Sequence, residues 1–322
     1  MRYSTKASSS FVALVAIAAG CDVDASAGRI ERCALGAHVA SEGAGLETAL
    51  TNFEGLIGRS VDIDRQYYKL DEEAPGPHER WTADRGHLPL ISVTGGLASG
   101  VNIAWSRIAD RGDAEASTLV TALARRLRDF DRPIMVIFHD EAQNDGAFGT
   151  PAEFIAAWRR VVDAARAEHA DKVAWVWSLS SNGFPTIADA WYPGAEWVDW
   201  IATTGFNWYT GDAVSQWRTF PSIFAPFREW SAGKGKPLLI VSVSSAENPQ
   251  QPADSPRSKA TWIREALVTL EDWPEIQGLV WLQRHNVDPF LNWGADSSPA
   301  ALQAFRDFAA APHLDVTAAT PP

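Results

Sequence analysis

Short apolar stretches alternate with polar segments along most of the chain. Eight of them have the length of β-strands, and each ends in polar residues or glycine. The predicted strands are 36–40, 59–68, 88–96, 133–141, 173–180, 197–207, 237–244 and 276–283. Helical patterns lie between most of them, and eight strands alternating with helices predict an α/β fold of the (β/α)8 TIM barrel type. We place this single domain at residues 35–312.

Five segments have apolar residues at helical spacing. They are 114–130, 151–169, 215–232, 256–270 and 298–310. Thr150-Pro151 and Ser298-Pro299 each place a capping residue before a proline, which is typical of a helix start. An open doubly wound sheet would instead require a glycine-rich phosphate turn after the first strand, and residues 38–45 match it poorly. Residues 313–322 are predicted to be a disordered tail.

The first 27 residues have the pattern of an export signal. Arg2 and Lys6 precede an apolar run over 11–19 that is too short to span a bilayer. We therefore predict an exported protein, with 28–34 as a short linker before the barrel.

The form of this signal has three interpretations. Residues 18–21 resemble a bacterial lipobox, which predicts lipidation of Cys21 and a cell-envelope lipoprotein. Residues 25–27 offer an ordinary cleavage site instead, which predicts a secreted protein. In the third interpretation Cys21 and Cys33, the two cysteines of the chain, form a disulfide.

Charge and composition narrow the class of partner. The net charge is −12, which argues against nucleic acid and anionic membranes because phosphate binding needs clustered Lys and Arg. Membrane contact is expected only through the lipid anchor. The 15 tryptophans include candidates for stacking on sugar rings, although most are expected in the core. The sequence predicts no cofactor and no metal, and we expect a monomer.

Glu141 is the strongest catalytic candidate. Its carboxyl group follows the apolar segment 134–138, so partial burial raises its pKa, and the neighbouring Asp140 acts in the same direction. A carboxyl group with a raised pKa can donate a proton. The alternative is a solvated or helix-capping carboxylate.

The segments 138–146 and 149–154 resemble the fourth-strand region of glycoside hydrolase family 26. The similarity continues, in order and at barrel spacing, through 173–177, 206–209, 236–240 and 293–299, and covers most of residues 35–312. The resemblance implies a retaining endo-β-glycanase with Glu141 as the acid/base. Members of the family act most often on β-mannan, and some on β-1,3-xylan or mixed-linkage glucan.

The nucleophile side departs from the family pattern. Alignment of the seventh strand places Ser242 at the position of the nucleophilic glutamate. Ser244 replaces a glycine, and Phe206 replaces a tyrosine whose hydroxyl supports the nucleophile. Asp140 replaces the histidine that commonly precedes the acid/base, with His139 one position earlier. The acid/base Glu141 is therefore kept, whereas the nucleophile position and the residues that support it are altered.

Several other side chains are candidates for the missing nucleophile or base. Serine is a weak nucleophile without an adjacent base, which disfavours Ser242 itself. Glu247 lies five residues beyond the strand-end position. An inverting mechanism would need a second carboxylate about 6.5–9.5 Å from the acid, for which Asp64, Asp140 and Asp288 are candidates.

The sequence thus predicts a glycan cleft at the strand ends. The expected substrate contacts are His139, Asp140, Asn207, Trp208, Tyr209 and Trp281. The favoured function is a family 26-like hydrolase with weakened or altered chemistry on a polysaccharide or oligosaccharide. A non-catalytic glycan-binding protein is the second hypothesis, and an unrelated barrel enzyme is the third.

Overall fold

The computed structural model describes residues 33–209, 216–286 and 288–314. The predicted export signal with Cys21, residues 28–32 of the linker and residues 315–322 of the tail lie outside them. Within the described part, no helix has the length and apolar character needed to cross a bilayer.

Eight parallel strands form a closed barrel in chain order, and the first strand pairs with the last. They are β1 (Ala34–Val39), β2 (Ile63–Lys69), β3 (Leu88–Thr94), β4 (Ile134–Phe138), β5 (Val173–Ser180), β6 (Trp200–Asn207), β7 (Leu238–Ser245) and β8 (Ile276–Gln283). The predicted (β/α)8 barrel is confirmed. The bounds of β5 and β8 agree with those predicted, whereas β2 begins four residues later.

Helices surround the barrel. Among the described residues they are α1 (Leu46–Ile57), α2 (Pro77–Asp84), α3 (Trp105–Ala109), α4 (Ala114–Phe130), α5 (Pro151–Ala167), α6 (Ala188–Trp191), α7 (Phe220–Ser231), α8 (Lys259–Asp272) and α9 (Pro299–Ala309). The predicted cap at Thr150 is present: its hydroxyl accepts from the Glu153 N–H, and the Glu153 carboxylate accepts from the Thr150 N–H. Sequence analysis did not identify α1, α2, α3 or α6. The first three begin without a side-chain cap, and α6 is a single turn.

The core has two layers because alternate strand residues face opposite sides. Inward residues fill the barrel with a compact apolar cluster: Ala34, Ile63, Leu88, Leu90, Met135, Ile137, Ala174, Val176, Trp200, Ala202, Leu239, Val241 and Val280. A larger apolar cluster lies between the barrel and its helices.

The alternation on β2 brings a charge into the barrel. Ile63 belongs to the inner cluster, and Arg65 and Tyr67 follow it on the same side of the strand. Asp64 faces outward, where it accepts hydrogen bonds from His78 at 2.7 Å and from the Thr82 hydroxyl at 2.9 Å.

A bulge on β7 sets the direction of Ser242. Ile240 pairs with Thr203, and Ser242 pairs with Thr204, so Val241 is the extra residue. Val241 belongs to the inner cluster and Ser242 lines a cavity above it. The bulge therefore turns two consecutive side chains towards the barrel axis.

The chain after α9 remains packed at its first positions. His313 and Leu314 are buried, and the His313 carbonyl accepts from the N–H of Cys33 at 3.0 Å. The prediction of a disordered tail starting at 313 is therefore wrong for these two residues, because Leu314 completes the outer apolar cluster.

Candidate active site

A cavity of about 310 Å³ opens at the carboxyl ends of the strands, where TIM-barrel active sites lie. Its lining comes from six strands or the residues that follow them: His38, Tyr67, Asp140, Glu141, Thr204, Phe206, Ser242, Leu282 and Arg284. The structure thus brings together four residues singled out from the sequence: Asp140, Glu141, Phe206 and Ser242.

Two larger cavities lie elsewhere. One of about 410 Å³ lies between the end of β8 and α1, and His285 there contacts Glu42 and Asp296. Another of about 460 Å³ lies at the opposite end of the barrel, around Arg59 and His87. Only the 310 Å³ cavity, among these three, combines the strand ends with the Asp140–Glu141 pair.

Glu141 lies on a sharp turn after β4. Its φ is 49° and that of His139 is 57°, both in the left-handed region that non-glycine residues seldom adopt. The Thr204 hydroxyl donates to Glu141 Oε1, and Ser180 forms a further hydrogen bond. Burial and then the charge of Asp140 raise the pKa of Glu141, against the opposing effects of Thr204, Arg65 and Ser180. Glu141 is therefore suited to hold and donate a proton.

Asp140 is held by an arginine inside the barrel. Arg65, whose side chain has no exposed surface, forms an ion pair with Asp140 Oδ2, and the Ser178 hydroxyl donates to Oδ1. Arg65 also donates to the Val241 carbonyl at 2.6 Å and to the Ser92 hydroxyl at 3.0 Å. Burial acts to lower the pKa of Arg65, but the charge and hydrogen bond of Asp140, together with Tyr67 and Glu141, raise the pKa overall. The guanidinium therefore stays charged.

Hydroxyl groups form the wall at the predicted nucleophile position. Ser242 is 4% exposed and hydrogen-bonds to Tyr67, whose ring centre lies 4.4 Å from the Arg65 guanidinium. Tyr67 is 43% exposed because the cavity is open above it. Partial burial, followed by the charges of Asp140 and Glu141, raises the pKa of Tyr67 to about 12, so it is a neutral phenol at physiological pH.

His38 completes the same wall. Its ring lies edge-on to Tyr67, with 4.8 Å between centroids, and its Nδ1 lies 2.8 Å from the Arg65 carbonyl oxygen. A carbonyl only accepts, so Nδ1 carries the proton and Nε2 is left as an acceptor. Burial lowers the pKa of His38 to about 4, which keeps the ring neutral.

Comparison with known proteins supports the family resemblance seen in the sequence. The model of glycosyl hydrolase family 26 matches residues 119–233, a segment that includes Glu141 and Thr204. The resemblance to family 26 is confirmed. Endoglucanase H of Acetivibrio thermocellus is 27% identical over 279 residues, which cover 81% of this chain. The chain spans 29% of the length of that relative.

Solved structures share the fold. A modular endo-β-1,4-mannanase from Cellulomonas fimi superposes with a TM-score of 0.68 at 16% identity, covering 95% of this chain and 75% of that one. Bacillus subtilis mannanase BCman superposes with a TM-score of 0.60 at 15% identity, covering 89% and 87%. At these identities the likeness shows the fold alone.

His139 faces away from the cavity, contrary to the prediction that it contacts substrate. Its Nδ1 accepts from the Trp105 indole at 3.1 Å, so its Nε2 carries the proton that is donated to Asp145 at 2.8 Å. Burial lowers the pKa of His139. The left-handed turn points His139 outward and leaves the cavity to Asp140 and Glu141.

Asn207 and Trp281 are also placed outside the cavity. The fully buried Asn207 amide donates to Ser245 at 2.9 Å, and its oxygen accepts from the Arg218 N–H at 2.8 Å. Trp281 is 2% exposed and packs on Phe305 with ring centroids 4.7 Å apart, because it faces the outer side of β8. Both have structural roles, so the prediction of substrate contact is wrong for them.

An aromatic row leads out of the cavity. Phe206 lies 5.3 Å from Trp293, and Trp293 lies 5.5 Å from Trp208, measured between ring centroids. Trp208 is 53% exposed, so its ring is open to solvent, and contact with substrate stays a prediction for it. Tyr209 lies beside this row and contacts Trp217 and Phe290.

Of the alternative carboxylates, Asp140 lines the cavity and the other three lie elsewhere. Asp64 faces α2, Glu247 accepts from the Ser297 hydroxyl at 2.6 Å, and Asp288 is exposed in the β8–α9 loop. None of the three lines the cavity. In the described segments, no group of three or more His, Cys, Asp or Glu side chains is arranged to hold a metal ion.

Sequence reasoning missed five of the nine residues that line the cavity. The unassigned lining residues are His38, Tyr67, Thr204, Leu282 and Arg284. Alternate residues of a strand share one face, so the inward position of Ile63 predicts that Arg65 and Tyr67 also point inward. Thr204 was predictable in the same way, because Trp200 and Ala202 of the inner cluster precede it at alternate positions of β6.

Proposed function

We propose that the chain is a family 26-like glycoside hydrolase that acts on β-linked glycans with Glu141 as the general acid. The observation that carries the proposal is the raised pKa of Glu141 in a cavity at the strand ends. The aromatic row ending at Trp208 supports a sugar ligand, because an exposed indole face packs against the apolar face of a sugar ring.

β-Mannan is the first substrate we propose, and mixed-linkage glucan and β-1,3-xylan are the next. Mannan comes first because the similar structures from Cellulomonas fimi and Bacillus subtilis are mannanases. Endoglucanase H supports a test on glucan.

Hydrolysis of such polymers is expected to be slow. Glu141 can protonate the leaving oxygen, but Ser242 would have to attack the anomeric carbon without a base. Tyr67, the hydrogen-bond partner of Ser242, has a pKa of about 12 and therefore keeps its proton at neutral pH. His38 has a pKa of about 4 and is a poor proton acceptor at neutral pH.

The test compares turnover of the three polymers by the purified protein and by Glu141→Gln. Glu247→Gln is the matched control, since Glu247 lies outside the cavity. Hydrolysis that is lost in Glu141→Gln and kept in the control supports the proposal. Hydrolysis that survives in Glu141→Gln, or neither binding nor turnover of any glycan, contradicts it.

A glycan-binding protein without turnover is the second candidate. The hydroxyl of Ser242 at the nucleophile position, with Phe206 beside it, favours this function. This function predicts that manno- or gluco-oligosaccharides bind, as measured by calorimetry, and that no product is formed. Glu141-dependent hydrolysis would exclude it.

We also propose export and lipidation at Cys21, on the basis of the N-terminal sequence. Labelling of cells with a radioactive fatty acid should mark the full-length chain and not Cys21→Ala. Secretion of an unlabelled protein would favour the cleavage site at 25–27 instead.

A further inference from the structure

The wall opposite Glu141 offers neutral hydroxyls rather than an anion. Ser242 lies at the level of Thr204, to which it is paired across β6 and β7, and Thr204 donates to Glu141. Tyr67, hydrogen-bonded to Ser242, is 43% exposed in the open cavity, so a ligand can reach its side chain. A neutral phenol can donate its proton to a ligand oxygen there.

The carboxylates that line the cavity, among the described residues, are both on the β4 side. Asp140 is paired with Arg65, and Glu141 follows it directly. Asp140 accepts one hydrogen bond on each oxygen, from Arg65 and Ser178. A carboxylate has about four acceptor sites, so Asp140 can accept a further N–H.

The remaining lining is partly apolar. Phe206 and Leu282 contribute to a cavity of about 310 Å³, which is at the small end of ligand pockets, about 300–1,000 Å³. The space suits one sugar unit with a small apolar substituent. A tyrosine hydroxyl, an anionic carboxylate and an apolar patch are the three partners that the oxygen, N–H and methyl of an acetamido group require.

We propose that this cavity hydrolyses β-glycosides of 2-acetamido sugars, with the acetamido oxygen of the substrate as the nucleophile. The inference rests on the proposed function, because it needs Glu141 as the acid. It also explains how Ser242 can occupy the nucleophile position in an active site: the substrate supplies the missing group.

The first step breaks the glycosidic bond. The acetamido carbonyl oxygen forms a bond to the anomeric carbon as the bond to the leaving oxygen breaks. The electron pair departs with that oxygen, which takes the proton of Glu141. The resulting oxazolinium ring is positively charged, and its N–H is hydrogen-bonded by the Asp140 carboxylate. Tyr67 orients the acetamido oxygen for attack.

The second step restores the enzyme. Water attacks the anomeric carbon, Glu141 takes a proton from it, and the electron pair of the ring C–O bond returns to the acetamido oxygen. The product is the free sugar with retained configuration. The net reaction consumes one water and needs no oxidant or reductant.

The test uses 4-nitrophenyl β-glycosides of N-acetylglucosamine, glucose and mannose. The expected result is a kcat/KM at least tenfold higher for the acetamido substrate, and loss of that turnover in Glu141→Gln. Successive fluorination of the acetyl group makes its oxygen a weaker nucleophile, so kcat should fall with each fluorine. The corresponding sugar-fused thiazoline, a stable analogue of the oxazolinium ring, should inhibit competitively.

Tyr67→Phe tests the proposed role of the hydroxyl. It should lower kcat for the acetamido substrate about tenfold and weaken thiazoline inhibition. Tyr192→Phe is the matched control, because Tyr192 packs against Trp177 and Trp230 away from the cavity. Equal effects of the two variants would overturn the role of Tyr67 in the inference.

The remaining outcomes separate the inference from the proposed function. Glu141-dependent turnover of the glucoside or mannoside, at a rate equal to or above that of the acetamido substrate, overturns the inference and leaves the proposed function standing. A kcat for the acetamido substrate that does not change with fluorination of the acetyl group also overturns the inference and leaves the proposed function standing. Oligosaccharide binding without any turnover overturns the inference and favours the binding protein. Neither binding nor turnover overturns both.

Discussion

Arg65 and Asp140 form an ion pair inside the barrel, directly beneath the candidate acid. The Arg65 side chain has no exposed surface, and Asp140 precedes Glu141 in the chain. The negative charge of Asp140 raises the pKa of Glu141, and the positive charge of Arg65 moderates that effect. The pair therefore links β2 to the protonation of Glu141.

Asp140→Asn should lower the pKa of Glu141, because it removes a neighbouring anion and leaves the Arg65 cation. A general acid works only when protonated, so the alkaline limb of the pH–activity profile should move to lower pH. The Glu141 carboxyl can also be followed directly by ¹³C NMR titration. A buried Arg65 without its partner should cost about 3–5 kcal/mol of unfolding free energy, measured with urea.

Asp145→Asn is the control for this change. Asp145 lies on the same turn but pairs with His139, away from the cavity. It should leave the pKa of Glu141 in place. An unchanged or raised pKa in Asp140→Asn would contradict the assignment.

Thr204→Val should shift the pKa of Glu141 in the opposite direction. The Thr204 hydroxyl donates to the Glu141 carboxylate and favours its ionised form, so its loss should raise the pKa and move the alkaline limb to higher pH. Thr203→Val is the matched control, because Thr203 donates to the Leu179 carbonyl at 2.9 Å on the outer side of β6. Similar shifts in both variants would refute the effect.

The barrel was predictable from the sequence because its strands are apolar on both faces and end in polar residues. The helix α4 has the predicted bounds, since its apolar stripe is continuous and Asp113 caps its first turn. The helix α1 was missed because it follows Gly45 without a side-chain cap. Hydrophobic periodicity thus identified the helices and strands whose ends are marked in the sequence by capping or polar residues.

The lining of the candidate site was predictable only where the sequence of a single strand determines which residues reach the cavity. Glu141 follows a single apolar run, so local sequence was enough to place it at the strand end, where it lines the cavity. His139 was misassigned because the left-handed turn at 139 and 141 reverses the expected directions of side chains. The contact between Tyr67 and Ser242 joins β2 to β7 across the barrel, and no local pattern encodes a contact over that sequence separation.

Trp208→Ala and Trp281→Ala should have contrasting effects. Trp208 is 53% exposed beside Trp293, so its loss should weaken oligosaccharide binding by about 0.5–1.5 kcal/mol, up to about tenfold in Kd, with little change in stability. Trp281 is buried against Phe305, and its truncation should cost about 3–5 kcal/mol of unfolding free energy. Calorimetry and urea unfolding separate the two. Unchanged affinity in Trp208→Ala would remove this ring from the proposed ligand site.

Lys259→Met should remove a pH dependence of stability. The buried ammonium donates to the carbonyls of Asn292 at 3.0 Å and Gly294 at 2.6 Å, and burial lowers its pKa from 10.5 to about 7. Between these pH values the unfolded chain binds more protons than the folded one, so the contribution of Lys259 to stability rises with pH.

Unfolding free energies of the two proteins at pH 7 to 10 provide the measurement. The advantage of the unmodified chain over Lys259→Met should grow across this range, by at most about 1.4 kcal/mol per pH unit. Lys172→Met is the control, because the side chain of Lys172 is 41% exposed. A difference that stays constant with pH would show that Lys259 is not neutralised by burial.

Ser242→Glu should create hydrolysis of plain β-mannosides and β-glucosides. The β7 bulge directs this position into the cavity that Glu141 also lines, so a carboxylate there can attack the anomeric carbon. We expect a rise in kcat of at least tenfold. Ser242→Gln has the same length without a nucleophile and should show no rise.

The same variant should affect 2-acetamido substrates in the opposite way. The new carboxylate would occupy the space and the Tyr67 hydroxyl that the acetamido oxygen requires, so turnover of the N-acetylglucosaminide should fall as that of the mannoside rises. Steady-state kinetics on both aryl glycosides measure this exchange. A fall for both substrates, matched by Ser242→Gln, would show that the cavity tolerates no larger side chain and that position 242 does not select the nucleophile.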